Sequence, residues 1–483
     1  MKINRKLIKF TKKKFLLIKS IIIFLFFIYI LINFNKTYTN YNYLYNYNNC
    51  KYKTFLFQRK YFNDNYNKYL FLQSNYNLSF FHSKNINDFR FDKLAKMGLQ
   101  GHNNLDIYNL YILPYDISHK LKNKITNLII NKNQKINRYF NYKEYVSKSL
   151  LYLNYRKMQK IFPSDYNYML ETYSYPEDRD LIISKFENYY YDSNSTDNIW
   201  LIKLKLSSIG HGISIMKKFP KLNKNFLITK YLNNPHIIKG VKYDLRFHGL
   251  ITGIKPLKIY LYNEGLVRFA TEKYDYYNQD NKYSFLTNLY VNIKNKKRFI
   301  YPQNNSNIED SNLWNLKVFQ NYLLKIGINY NTIYDKVKDI FIKMIFSVRK
   351  KLIKTIDNYK LSNSNFYHLI GFDIILDENL KPYLLEANRY TGLRDDNDAE
   401  KNFTFNLIID TINLVGLKDI YKKDNDKEDK TDKEIEDNIC ELNRPRGGYN
   451  LIFPLKNNIK KYRLFYNDKV PKEDLELWKY LRE

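Results

Sequence analysis

Two carboxylates and one amide lie at matched positions in a segment with the composition of a β-hairpin. The segment, Phe366–Asn388, contains two apolar runs separated by polar residues at 377–382. Folding the chain at this break places Asp373 and Glu386 opposite each other, with Asn388 on the same face. Oxygen donors at this spacing suit Mg²⁺, which is usually held by one or two carboxylates together with substrate phosphates. A solvent-exposed hairpin end explains the same residues, so the hairpin alone leaves both interpretations open.

A second segment has the composition of a phosphate-binding loop. An apolar run that begins at Trp200 leads into a short loop containing Ser208, Gly210 and Gly212. The backbone N–H groups of such a loop can bind phosphate, and glycine allows close approach. Lys203, on the preceding strand, could reach the same phosphates. The specificity of this signal is low, because most glycine pairs of this kind are hairpin turns.

Charged residues inside predicted strands form a third group. Asp244 and Arg246 share one face of a strand that starts at Lys242, and Arg268 lies on a nearby strand. We expect Pro256–Tyr262 and Leu266–Ala270 to form a hairpin. The short strands predict mixed or antiparallel sheets. An exposed sheet face with a cross-strand salt bridge is the alternative explanation of the charges.

The net charge favours an acidic partner. The chain of 483 residues has 80 Lys and Arg against 48 Asp and Glu, a net charge of +32. Nucleic acid, an anionic membrane or an acidic protein tail would each suit this charge, although a general bias toward Lys, Asn, Tyr and Ile explains part of it. The two cysteines argue against a cysteine zinc site.

The N-terminus predicts a membrane anchor. Seven basic residues within positions 2–14 precede an apolar stretch at 15–34. Its core is short for a span, but no small-residue cleavage site follows, which favours an uncleaved signal anchor over a cleaved signal peptide. Such an anchor would carry the rest of the chain across the membrane.

Seven segments, taken in order, resemble the tubulin tyrosine ligase-like family, whose fold is of the ATP-grasp type. The likeness covers about residues 100–455, and the segments are QKIN at 134–137, WLIK at 200–203, SIGHGI at 208–213, KYLNNPHIIKGVKYDLR at 230–246, PLKIYLYNEGLVRFATEKY at 256–274, LTN at 286–288 with Asn292, and GFDIILDENLKPYLLEAN at 371–388. The resemblance implies an α/β (α+β) fold with mixed or antiparallel sheets flanked by helices, after the N-terminal hydrophobic segment.

The resemblance also implies site residues. The three metal ligands for Mg²⁺ would be those of the hairpin, Asp373, Glu386 and Asn388. Asp244, Arg246 and Arg268 would be catalytic. The ATP-binding residues would be Lys203, Ser208, Gly210, Gly212, Lys230, Tyr231, Lys242, Thr287 and Asn288.

The implied reaction is ATP-driven amide formation. A carboxylate of an acidic tubulin tail would become an acyl phosphate, and the amine of a free amino acid would attack it, with positioning and electrostatics supplying most of the rate. The chain length and the motifs KYDLR at 242–246 and LLEAN at 384–388 resemble the glutamylase branch of the family, which favours glutamate over tyrosine or glycine. Tubulin, microtubules and free glutamate are thus the expected partners, and nucleic acid is not.

Departures from the family pattern leave other functions open. Leu204 replaces a proline, and Ile209 and His211 stand where basic residues are usual. A microtubule-binding pseudoenzyme is therefore an alternative. The predicted anchor conflicts with a cytoskeletal location, and it suggests a ligase for another acidic protein in the secretory pathway.

The sequence predicts seven regions. They are a basic N-terminus with a hydrophobic anchor (1–36), an Asn/Tyr/Lys-rich linker (37–95), an N-terminal ligase domain (96–198), a central ATP-grasp domain (199–275), a C-terminal ATP-grasp domain with the metal-binding hairpin (276–420), a charged linker (421–438) and a C-terminal tail (439–483).

Overall fold

A sheet of four parallel strands opens the part of the chain that the computed structural model describes. The model describes residues 79–81, 100–102, 108–113, 117–129, 132–186, 199–205, 213–216, 225–278, 280–302, 308–389, 398–417, 430–466 and 469–481, all within one unit, Thr54–Glu483. The strands are β1 (Ser79–Phe81), β2 (Gln100–His102), β3 (Leu110–Tyr111) and β4 (Lys135–Ile136), in the order β2-β1-β3-β4.

Two buried polar residues that flank β4 are hydrogen-bonded to residues that flank β3. Gln134 donates to the carbonyl of Tyr108 at 3.1 Å, and Asn137 accepts from the backbone of Leu113 at 2.9 Å. Both side chains are buried, so their hydrogen bonds compensate the cost of desolvation. The QKIN segment is therefore structural in this chain.

Three helices accompany the first sheet. They are α1 (His119–Leu128), α2 (Lys143–Val146) and α3 (Lys148–Ile161). The sequence predicts one helix over 143–161, but Ser147 has an extended backbone, with φ −80° and ψ 126°, and separates α2 from α3. Lys148 thereby becomes the first residue of α3.

A second, antiparallel sheet forms one wall of the site described below. Its strands are β5 (Thr172–Tyr175), β6 (Trp200–Leu204), β7 (Ile213–Ile215) and β8 (Phe226–Lys230), in the order β5-β8-β6-β7, and α4 (Arg179–Phe186) follows β5. A small core around Trp200 and Phe186, whose ring centroids are 4.9 Å apart, fixes the helix against the sheet.

The third and largest sheet is built on one long central strand. It contains β9 (Ile237–Ile238), β10 (Val241–Ile254), β11 (Leu257–Tyr262), β12 (Leu266–Phe269), β13 (Leu313–Asn315), β14 (His368–Leu376), β15 (Pro382–Asn388) and β16 (Tyr449–Phe453). Leu250 belongs to one hydrophobic cluster, and Phe247 and Ile251 belong to another. The two faces of β10 are thus both buried, although Lys242, Asp244, Arg246 and His248 interrupt the apolar sequence of its first half.

The predicted hairpin between 256 and 270 is wrong in its pairing. β12 pairs with the first half of β10, at Tyr243–Arg246, and β11 pairs with the second half, at 249–254. Because β14 pairs with 245–251 on the other edge of β10, β11 and β12 lie end to end along the same edge. A 14-residue strand is long enough to accommodate both partners.

Helices cover the large sheet. They are α5 (Lys282–Phe285), α6 (Leu289–Asn292), α7 (Leu316–Lys325), α8 (Tyr330–Asn358), α9 (Asp398–Val415), α10 (Lys430–Leu442), α11 (Ile459–Tyr462) and α12 (Lys472–Tyr480), with 3₁₀ turns at Ile308–Asp310, Asn363–Asn365 and Arg463–Tyr466. The sequence has apolar residues at helical spacing from Ile333 to Leu352, and this stripe is buried in α8. Phe341 of this stripe stacks on Phe372 of β14 at 4.7 Å, and a Cβ on Gly249 would overlap its ring.

The region predicted as a charged linker is partly helical. α10 begins at Lys430, and its Glu441 accepts hydrogen bonds from Thr252 and, at 2.6 Å, from Lys258. The charges near 430–438 suggested a solvated segment. The buried Glu441 lies just C-terminal to these charges, outside the predicted linker. Further on, Asp474 of α12 pairs with Arg349 of α8 at 2.6 Å. The C-terminal region is therefore part of the core.

The mixed α/β fold with antiparallel sheets and flanking helices confirms the predicted fold class. The predicted membrane location is corrected. Within the described residues, none of the helices has the length and hydropathy needed to cross a membrane. The segment at 15–34, which suggested an anchor, lies outside the described residues.

Candidate active site

The hairpin predicted from the sequence forms, with the predicted register. Asp373 pairs with Glu386 across β14 and β15, and Gly371 pairs with Asn388. The turn is closed by Asp377, which accepts hydrogen bonds from the backbone of Asn379 at 2.9 Å and Lys381 at 2.8 Å. The Asn388 side chain donates to Glu386 at 3.1 Å. The prediction that these carboxylates face each other is confirmed.

Neighbouring strands of the large sheet bring four charged residues into one row. Arg246 of β10 is opposite Asp373 of β14, and Asp244 of β10 is opposite Arg268 of β12. Arg268 joins the two pairs, because its Nε donates to Asp244 at 2.6 Å and its Nη2 to Asp373 at 2.8 Å. All four side chains are buried. The row thus satisfies buried charge with opposite charge.

The carboxylates of this row have shifted pKa values. Burial alone would raise the pKa of Asp373, but Arg246 and Arg268 outweigh burial and hold it well below its usual range. Burial raises the pKa of Asp244, opposed by Arg268 and reinforced by the nearby Asp373. Thr287 donates a hydrogen bond to Asp244. Asp373 is therefore a permanent anion between two arginines.

Two lysines next to the row have lowered pKa values. Burial lowers the pKa of Lys242 to about 7, with Asp244 opposing and Lys203 reinforcing the shift. Its Nζ donates to the Tyr231 hydroxyl at 2.6 Å and the Phe285 carbonyl at 3.0 Å. Burial likewise lowers the pKa of Lys203 to about 8, opposed by Glu386 and reinforced by Lys148. Cations held this close together favour an anionic ligand.

These residues line one cavity of about 170 Å³. Most of the predicted site residues contribute to it, namely Lys203, Lys230, Tyr231, Lys242, Asp244, Arg268, Thr287, Asn288, Asp373, Glu386 and Asn388. Arg246 reaches the site through Asp373. The predicted loop residues Ser208, Gly210 and Gly212 lie outside the described residues.

Sequence reasoning missed Lys148. This lysine lines the cavity, and its Nζ lies 3.8 Å from Glu386 Oε2. It opens α3, more than two hundred residues before Glu386, and no local motif marks it. A local hint was Ser147, because serine favours the position that precedes a helix and therefore indicates that a helix starts at Lys148.

The oxygen donors fit a Mg²⁺ ion bound with phosphates. The described residues contain no group of three His, Cys, Asp or Glu side chains able to hold a metal. The hairpin offers two carboxylates and one amide oxygen instead, and Mg²⁺ commonly uses one or two carboxylates, phosphate and water. Asp373 is already engaged by two arginines, so Glu386 and Asn388 have the greater share of free donor atoms.

The fold and this site define a protein of the ATP-grasp class. The model of the tubulin-tyrosine ligase family matches residues 126–427. The chain belongs to this family.

Similar curated proteins are named as glutamylases. The chain is 33% identical over 294 residues to tubulin monoglutamylase TTLL4 of Mus musculus, covering 60% of the chain and 24% of that protein. It is 32% identical over 290 residues to a probable beta-tubulin polyglutamylase of Tetrahymena thermophila, with 58% and 24% covered. It is 28% identical over 351 residues to tubulin polyglutamylase TTLL6 of Mus musculus, with 70% and 41% covered. The matched region thus spans less than half of each relative.

Proposed function

We propose that this protein is an ATP-dependent ligase that joins glutamate to acidic tails of tubulin. The observation that carries the proposal is the buried row of Asp244, Arg268, Asp373 and Arg246, which lies beside Glu386 and Lys242 at one cavity. Membership of the tubulin-tyrosine ligase family and the names of its relatives supply the substrate class.

Lys203 and Lys242 hold the phosphates of ATP. Their pKa values are lowered chiefly by burial, with repulsion from Lys148 acting on Lys203 and repulsion from Lys203 acting on Lys242. A bound polyanion offsets this repulsion. Lys148 adds a third cation from the N-terminal part of the fold. The apolar wall of Leu201, Ile213 and Leu232 suits the nucleoside.

Glu386, Asn388 and Asp373 would hold Mg²⁺ at this cavity. When bound, the ion neutralises phosphate charge. The two arginines keep Asp373 ionised, and the hydrogen bond from Asn388 fixes the carboxylate of Glu386.

The reaction conserves atoms and charge in two steps. An oxygen of the acceptor carboxylate attacks the terminal phosphorus of ATP and ADP leaves. The amine of glutamate then attacks the acyl carbon, phosphate leaves, and the amine loses a proton as the amide forms. Arg268, which lines the cavity, stabilises the developing negative charge.

The test uses the full chain with microtubules, MgATP and labelled glutamate, beside Glu386→Gln. We expect label in tubulin with the natural chain and at least a hundredfold less with the variant, roughly the loss seen for a removed electrostatic group. Tyrosine and glycine are offered in parallel. A folded chain that binds microtubules but incorporates none of the three would identify a binding protein instead.

A further inference from the structure

A cluster of exposed cations follows the cavity-lining Asn288 in the chain and has no role in the reaction proposed above. Four of the five residues at 294–298, just after α6, are cationic and exposed, namely Lys294, Lys296, Lys297 and Arg298. Arg298 has a distant carboxylate partner, Glu272, at 3.6 Å. Among the described residues, none lies in ion-pair contact with the three lysines. We call these four residues the basic ridge.

The basic ridge starts close to the cavity. Asn288 lines the cavity and caps α6, accepting hydrogen bonds from the backbone of Tyr290 and Val291. At the helical rise of about 1.5 Å per residue, the six steps from Asn288 to Lys294 correspond to about 9 Å along the chain. An extended peptide covers that distance with about three residues.

Hydrogen bonds fix the segment that carries the basic ridge. The fully buried Asn292 donates to the carbonyls of Leu286 and Asn288 at 2.7 and 3.1 Å, and its oxygen accepts from Thr271. Asn295 donates to Thr271 and Glu272 at 3.0 and 3.1 Å. The cations are therefore held at a set distance from the site, which reduces the entropy lost when a ligand binds.

We propose that the basic ridge binds the acidic residues that flank the modified carboxylate of the acceptor peptide. The inference rests on the proposed function and adds the place where the acceptor is held. The acidic occupant is favoured by charge complementarity, by the short stretch of chain between the ridge and the cavity-lining Asn288, and by the half-exposed Tyr290, which lies between Asn288 and the ridge and can pack its ring on an extended chain.

The test measures binding apart from catalysis. A fluorescent peptide of about ten glutamates, without nucleotide, is titrated with the full chain and with the triple variant K294E/K296E/K297E. The matched control is K120E/K124E/K354E, which makes the same change in charge at three exposed lysines on α1 and α8, helices that contribute no residue to the cavity. A neutral triple, K294Q/K296Q/K297Q, serves if charge reversal impairs folding.

We expect the ridge variant to weaken peptide binding by at least about tenfold and the control by less than about twofold, because steering by net charge alone is weak at physiological salt. Both variants should keep the ATP affinity and the melting temperature of the natural chain. Equal losses in the two triples, or a ridge variant that instead loses binding to anionic vesicles or RNA but not to the peptide, would overturn the proposal.

These results separate the two proposals. Selective peptide binding by the ridge in a chain that incorporates no amino acid would contradict the ligase and leave the ridge as a binding surface. Normal incorporation and an unchanged KM for tubulin in the ridge variant would contradict the ridge alone.

Discussion

Asp373 and Glu386 face each other across the hairpin in opposite environments. The side chain of Asp373 is 4% exposed and lies between two arginines, whereas that of Glu386 is 29% exposed and lies 3.8 Å from Lys148. One carboxylate of the pair thus holds the sheet together, and the other is accessible to a ligand.

This difference predicts that replacing Asp373 by Asn mainly lowers stability, whereas replacing Glu386 by Gln mainly lowers activity. Asp373→Asn leaves the buried Arg246 without its anion and Arg268 with Asp244 alone, and should lower the free energy of unfolding by about 3–5 kcal/mol. Glu386→Gln should change it by less than about 1 kcal/mol, since a partly exposed pair contributes little, yet remove most of the activity. Denaturant unfolding and turnover, measured on the same preparations, distinguish the loss of stability from the loss of activity. A stable Asp373→Asn protein would contradict the structural role of Asp373.

Arg268→Lys should not behave as a conservative change. The guanidinium reaches Asp244 and Asp373 with different nitrogens, and a single ammonium cannot reproduce that geometry. We expect a loss of stability of about 2 kcal/mol or more together with reduced turnover. Arg179→Lys, at an exposed arginine that forms an ion pair with its neighbour Asp180, is the control and should leave both unchanged.

Nucleotide binding should take up protons at pH 8. Lys242, with a pKa of about 7, is then mostly neutral, and Lys203, with a pKa of about 8, is half protonated. A bound triphosphate favours the ammonium forms, so both pKa values rise and about one proton enters. Affinity should accordingly fall as pH rises through 7 to 9.

Calorimetry with MgATP checks this uptake in two buffers of different ionisation enthalpy. Lys242→Met should remove the larger part of the difference between the buffers. Equal heats in the two buffers at pH 8 would show that the lysines keep their charge in the free protein.

The C-terminal region should be required for folding although the family match ends at residue 427. Asp474 is fully buried, pairs with Arg349, and accepts from Tyr466 and from the backbone of Leu257 at 2.6 and 3.0 Å. Asp474→Ala should cost about 3–5 kcal/mol.

The matched control for this prediction is Asp335→Ala, which removes an exposed carboxylate from a local pair with Lys338. It should cost less than about 1 kcal/mol. Thermal unfolding of both variants decides the matter, and similar melting temperatures would mean that α12 is dispensable.

The sequence predicted what local pattern determines. The hairpin, its facing carboxylates and the buried stripe of α8 follow from alternation, turn residues and helical spacing. The pairing of β11 and β12 was missed because their connection, Asn263–Gly265, has the composition of a hairpin turn. Lys148 and Glu441 were missed because their partners, Glu386 and Lys258, are distant in sequence.

The pairing of β16 with β11 has a consequence for biosynthesis. These strands, Tyr449–Phe453 and Leu257–Tyr262, are separated by about 190 residues, and contacts of such long range form slowly. While the ribosome is still making the intervening chain, the free edge of β11 remains open to other strands, as an aggregation-prone edge. The edge of β11 is therefore covered only after β16 has been synthesised, and until then a chaperone could protect it.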